Sequence, residues 1–437
     1  MRLNLASALL AVSLLALNGC GGTGNTDYFA LQIDGEPDRE YKDSWMQSSL
    51  QTADGGMIVV GNVGSLLWVM KFDRNGNVTW EYTYGEAFWK DKGLHILSDG
   101  AYAISGAKGS GGAFFIIIEP NGAVRSLQHF PDFYFGGSQL TDDGVYLMGE
   151  APDGSVLLKV DNNGNLVNAN FYSTLTNLTE LLELPSGELV IAGERGNTFS
   201  DTGRVDLVLL KTNSQGMLTD TAVYGNDRTG VFTGGLYLNA RQQIVLGGYT
   251  QLGTFMDADN FEHPIRLVFN QDLSIASAQE YTFNREAAIA DAIPASDGGM
   301  IMSGRFRQTN DSWTQTHSAL LKLDSNGTIE WAKRYEFNSS TNESDGRSVA
   351  ETNRGYLMTG YLRQNGVYGF VVSANFDGVI EGSGSVVVNL TNGTVNNFSL
   401  ATYSDQDIFW QSYGQVSYGE PLSASPSTSV VTRLDRF

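Results

Sequence analysis

"KFDRNGNVTWEYTYG", residues 71–85, returns as "KLDSNGTIEWAKRYE" at 322–336 and more loosely as "KVDNNGNLVNANFYS" at 159–173. Each copy joins an apolar run to a tight turn and then to an alternating segment. Asn-Gly in "DRNGN" and "DNNGN" marks a hairpin connection that demands positive φ. Upstream lies a second repeated unit, "ADGGMIVVG" at 53–61, with versions at 98–106, 142–149, 185–193, 240–247, 296–304 and 353–360. There an Asp-Gly turn precedes a short β-branched run, and a glycine closes it. Between the two units sit nearly continuous apolar runs such as "LLWVMKF" at 66–72 and "AFFIII" at 113–118. Unbroken apolar runs imply burial on both faces of a sheet.

The closing glycines lie 45, 43, 44, 54, 57 and 56 residues apart. Four short strands per unit at that period predict an all-β fold, a β-propeller of four-stranded blades. Seven units are plain. An eighth is read at "SLATYSDQDIFWQSY", 399–413, with "SVVTRLD", 429–435, as its third strand. "YFALQID", 28–34, has no partner upstream. The expectation is therefore eight blades, with seven as the alternative, and N- and C-terminal strands sharing one blade. Such closure removes exposed sheet edges. The turn-plus-Trp motif resembles the repeats of quinoprotein-like propellers. The Asp-Gly-Gly units resemble repeats of secreted bacterial β-propeller lipoproteins. The resemblance spans nearly all of residues 28–437, read as a single domain, and speaks to fold rather than activity.

The start, "MRLNLASALLAVSLLALNGCGG", carries Arg2 before a short apolar stretch. It reads as an export signal, residues 1–19. Leu17-Asn18-Gly19-Cys20 resembles the bacterial lipobox, which implies cleavage before Cys20 and acylation of its thiol (a palmitate-type anchor). Cys20 is the single cysteine, so disulfides have no part in the fold. In lipoproteins of this kind an Asp after the cysteine favours the inner membrane; Gly21 implies the outer membrane, with residues 20–27 as a short tether. The net charge of -21 excludes nucleic acid and broad contact with anionic lipid.

No metalloprotease, Walker or nucleophile-elbow motif is present, and the four histidines lie in no recognisable pattern. Quinoprotein dehydrogenases use a vicinal disulfide beside their cofactor, which one cysteine cannot form, so no cofactor is expected. Asp73 and Asp161 open tight hairpin turns rather than calcium loops, because Gly76 and Gly164 come two residues too early. The loops between second and third strands lengthen at 194–205, 249–264 and 305–318, on the face that also carries the blade connections. Candidate ligand-binding residues on that face are Trp89, Phe133, Tyr134, Phe135 and Trp313, with His263 and His317. Asp257 and Asp259 are weak metal candidates. The expected function is a monomeric, outer-membrane-anchored binding or scaffolding module for a protein or glycan partner. The alternative is a polysaccharide-active envelope enzyme.

Acylation at Cys20 has a direct test. Cys20→Ala is expected to shift the protein from the membrane pellet to the soluble fraction, since anchoring rests on its acyl chains. Unchanged fractionation would remove the lipid anchor.

Overall fold

The computed structural model describes residues 29–34 and, apart from short breaks in loops, 44–380, together with six short strands between 387 and 433. The export signal, Cys20 and the tether lie outside these residues. Among the described residues all regular elements are β-strands.

Seven antiparallel four-stranded blades follow one another along the chain, at 44–84, 94–130, 134–172, 177–225, 229–282, 287–335 and 343–375. The seventh takes its fourth strand from the chain start: Phe29–Asp34 pairs with Val367–Asn375. Blades six and seven share one sheet only through a single parallel bridge, Thr316 to Glu343. The first strand of each blade meets its counterparts in the neighbouring blades, so the first strands surround an axis and the ring closes. Across the closure the Ser44 hydroxyl accepts from the Gly369 amide at 3.1 Å.

The blade count corrects the expectation of eight. The described segments within 399–413 build no further blade. Ala401–Tyr403 pairs with the last strand of blade four, and Trp410–Ser412 with that of blade three. They belong to a tail that runs backwards around the rim. Val387–Asn389 is a fifth strand on blade six, Thr394–Asn397 on blade five, Ala424–Pro426 on blade one. Val430–Arg433 then pairs with Phe29–Asp34. The termini do share a blade, as expected, but it is blade seven and the C-terminal strand is its outermost.

The physics of the repeat is visible at the turns. In both hairpins of blade one the chain closes in the same way, Gly55 N to Thr52 O at 2.9 Å and Gly76 N to Asp73 O at 3.1 Å. Only the glycine of each turn takes positive φ, +79° at Gly55 and +81° at Gly76; the residue before it, Asp54 or Asn75, does not, so these are three-residue turns ending in a left-handed residue. Blade five puts Gln242 (φ 59°) and Leu273 (φ 62°) at those positions instead. The Asp73 carboxylate accepts from the amides of Asn75 at 2.8 Å and Asn77 at 2.9 Å, which fixes the turn reading. Lys71, which heads the quoted stretch, reaches across to the other hairpin and meets Asp54 at 2.7 Å. Lys322 does the same with Asp297 at 2.6 Å. The second glycine of Asp-Gly-Gly is required there, since a Cβ on Gly56 or Gly299 would stand 2.8 Å from the lysine Nζ and 2.1 Å from a backbone carbonyl.

Third strands are buried throughout, as in Ala113–Ile118. At the end of the fourth strand a tyrosine leans onto the next blade. Tyr84 donates to Gly122 O at 2.8 Å, Tyr172 to Gly216 O at 2.7 Å, Tyr281 to Gly327 O at 2.9 Å and Tyr335 to Gly378 O at 3.0 Å. Each bond satisfies a buried hydroxyl whose loss would leave a carbonyl unpaired, at about 1–3 kcal/mol.

The two terminal strands are not equivalent. Deleting residues 29–34 removes a strand hydrogen-bonded on both sides and opens the ring; it should prevent folding, given a total stability of about 5–15 kcal/mol. Deleting 429–437 removes one outer strand and should cost about 2–5 kcal/mol, a handful of ladder bonds at about 0.5–1.5 kcal/mol each. Thermal unfolding of the two truncations checks this; equal losses would contradict the assignment of Phe29–Asp34 as the closing strand.

Candidate functional site

The first strands carry a repeated irregularity. In six blades the register slips by one residue, between Met46/Ser48, Phe135/Gly137, Leu178/Glu180, Thr233/Gly235, Ile289/Asp291 and Gly346/Ser348. Beside each slip lies the closing glycine of the repeat or its neighbour. A Cβ on Gly61, Gly149, Gly304 or Gly360 would stand 1.9 Å from a carbonyl oxygen of the slipped strand, so no side chain fits. The bulge re-aims the downstream half of each first strand toward the axis.

Those downstream halves enclose a cavity of about 440 Å³ to which all seven blades contribute. It reaches the ends of the first strands at Glu183 and Pro294, which places it toward the face of the Asp-Gly turns. Leu50, Leu181 and Ile293 supply apolar wall; Ser48, Ser138, Ser348 and His95 supply neutral polar groups. Glu180, Glu183 and Asp291 bring negative charge, and neither Lys nor Arg lines it. Burial, with the Asp143 charge adding to it, raises the Glu183 carboxyl above its usual range. Asp291 already accepts from the Val349 amide at 2.9 Å and so ties blade six to blade seven.

Ser105 donates to Ser138 Oγ at 2.8 Å, and Ser138 Oγ lies 2.9 Å from His95 Nε2. The Ser138 oxygen is thus shared between Ser105 and the imidazole, and the His95 tautomer sets which of the latter pair donates. Burial pushes His95 down to about 4, against a smaller upward pull from Ser138, so the ring is neutral near pH 7. The spacing is that of a nucleophile and its base. Yet Ser105 draws on the same oxygen lone pairs an attack would use, and the arrangement serves best as a relay for ligand hydroxyls.

At the opposite end of the channel, charges alternate and neutralise one another. Arg347 meets Asp345 at 3.2 Å, Asp345 meets Arg305 at 3.6 Å, and Arg305 meets Glu262 at 3.0 Å. Trp45 packs on Tyr361 with ring centres 4.4 Å apart.

The residues singled out in the sequence fare differently. Trp89, Trp313, Asp257 and Asp259 lie outside the described residues. Phe133 and Phe135 are 2% and 1% exposed. They pack with Phe115 and Phe130 between blades two and three, so their proposed place on a binding face is corrected. Strand alternation turns Tyr134 the other way, and it is 62% exposed. His263 lies 3.4 Å from Glu280, which also accepts from Thr250 at 2.9 Å, an internal pair. His317 sits partly buried in Thr316–Leu323 opposite Phe306. Among the described residues no group of three or more His, Cys, Asp or Glu could hold a metal. The His95–Ser138 pair escaped sequence reading because 43 residues separate its members. The signal available was only a polar residue at one register position of successive first strands.

No family model matches the chain, and no curated protein matches its sequence. Solved structures do resemble it. A polysaccharide lyase of family PL25, an ulvan lyase bound to -[GlcA(1-4)Rha3S]-, is 10% identical over 81% of this chain and 96% of its own, with a TM-score of 0.48. A protein of unknown function from Bacteroides caccae is 12% identical over 70% of this chain and 93% of its own, at 0.39. The dihydro-heme d1 dehydrogenase NirN is 14% identical over 71% and 73%, at 0.39. At such values the arrangement of the seven blades carries the fold assignment, and no chemistry transfers from these proteins.

His95 predicts a pH dependence. Its folded value near 4 lies below the unfolded value of about 6.5. The unfolded chain therefore binds the proton first as pH falls. The associated stability is complete above about pH 6.5 and is lost on acidification toward pH 4. Between pH 7.5 and 4.5 the protein should lose about 2–3 kcal/mol more than His95→Gln, by denaturant unfolding. Parallel losses in the two proteins would place His95 in contact with water.

Proposed function

We propose that this chain is a binding module of the cell envelope, tethered through Cys20 to the outer membrane, whose axial cavity takes a neutral or cationic polar ligand, best matched by a segment of a glycan. The observation that supports this reading is the cavity itself. Its volume of about 440 Å³ is within the range of small-molecule sites. Hydroxyls, a neutral imidazole and carboxylates converge in it beside leucine and isoleucine side chains. That combination suits sugar rings, whose hydroxyls need bidentate acceptors and whose C–H faces need apolar wall. Three carboxylates without a lining cation repel uronates, phosphates and sulfates.

The test is a glycan array probed with the intact mature protein, carrying neutral, amino-bearing and anionic oligosaccharides. Neutral or amino-bearing sugars should bind. Ser138→Ala should weaken them by about tenfold, one lost hydrogen bond in a desolvated site. Glu180→Gln with Glu183→Gln should relax the exclusion of anionic sugars. Preference of the wild type for anionic glycans, or indifference to all three substitutions, would overturn the proposal. The spacing of Ser138 and His95 favours one second reading, hydrolysis of the bound glycan, and shortened oligosaccharides recovered from the array mixture would decide for it.

A further inference from the structure

One residue of the third strands breaks their rule. Four positions before the first hairpin residue (Asp, Asn or, in blade two, Glu119), six blades carry Val69, Phe115, Leu157, Leu209, Leu320 and Val371, all 0% exposed. Blade five carries Arg266 there, 5% exposed. The register confirms the equivalence: Arg266 stands opposite Gln279 as Val69 stands opposite Tyr82 and Leu320 opposite Lys333. A guanidinium thus occupies an apolar position of the interface between blades five and six.

Its partners are all neutral. Arg266 donates from Nη1 to Gln279 Oε1 at 3.1 Å and from Nη2 to Ser325 O at 3.2 Å. Its buried Nε has no acceptor. Among the described residues it has no carboxylate in ion-pair reach. Arginine cannot shed its proton to escape the penalty of burial. The same side chain lines a cavity of about 490 Å³ on the turn face, together with Arg241, Ser277, Ser325, Asn326 and Asp297. The Asp297 carboxylate is already held by Lys322 at 2.6 Å. In a chain of net charge -21, positive charge is here collected rather than cancelled.

We propose that this inter-blade cavity is an oxyanion site, in which a carboxylate, phosphate or sulfate group supplies the counter-charge that Arg266 lacks and is capped by Arg241. A planar guanidinium presents paired N–H groups matched to such oxygens. The Ser277 hydroxyl and the Asn326 amide offer further donors within the lining. The site is separate from the axial cavity and opposite to it in charge, so neither reading depends on the other.

Thermal unfolding of the full mature chain tests the proposal, with sulfate, phosphate or acetate exchanged for chloride at constant ionic strength. At least one oxyanion should raise the midpoint saturably, because a ligand bound only to the folded state stabilises it. The order among the three distinguishes a tetrahedral from a planar ligand group. Arg266→Leu restores the side chain that the other blades carry; it should fold and lose the response. Arg241→Gln should fold and weaken the apparent affinity by about tenfold, one charge-assisted contact. The proposal fails if no oxyanion exceeds chloride, or if Arg266→Leu responds as the wild type does. Should Arg266→Leu not fold, Arg241→Gln decides alone, and an unchanged affinity there overturns the site.

Discussion

In five of the seven blades the hydroxyl of the last tyrosine, bonded to a turn carbonyl of the next, fixes the spacing of neighbouring blades. Tyr335 shows the constraint most fully: it is 0% exposed, donates to Gly378 O at 3.0 Å, and is raised far above the ordinary phenol range by burial. The bond needs a carbonyl turned outward by a left-handed residue, which is why Gly378 has a φ of +70°. Blade two ends instead in Phe130, which has no hydroxyl to donate. Its interface with blade three is filled by Phe115, Phe133 and Phe135. Shape replaces the directed bond at that joint, and two residues that look like exposed anchors in the sequence become core; in blade seven the tyrosine's register position, opposite Gly369, is held by Ile33.

The repeat was legible because turns leave strong local marks. Asp, Asn and Gly at fixed offsets announced the hairpins, and closing glycines announced a close backbone approach whose cause, a bulge in the neighbouring strand, lies outside any local window. The lysine heading the quoted stretch was in plain view, yet its partner Asp54 lies 17 residues upstream. The count of blades failed for a related reason. Segments of three or four residues such as Trp410–Ser412 have the composition of blade strands but pair with blades already complete. Composition reports that a segment is extended; it does not report whose edge it joins.

Sites proved less legible than fold. Loop length drew attention to one face, while the axial cavity and the Arg266 recess lie toward the other. Ser48, Ser138 and Ser348 are unremarkable in sequence and meet only because the ring brings successive first strands to one axis. Arg266 is the contrary case. Once the repeats are aligned, an arginine among valines, leucines and a phenylalanine stands out without coordinates, but only the structure shows that no acid accompanies it.

The pairing of Phe29–Asp34 also orients the molecule. Phe29 lies opposite Ser373, at the end of its partner strand that runs into the turn beginning at Asn375. The chain therefore enters the ring from the turn face. A tether through Cys20, as proposed above, would hold the protein by that face. The mouth of the axial cavity and the Arg266 recess would then look toward the membrane. A ligand for either one would arrive from the side, between ring and support, while the opposite face of the ring would look outward.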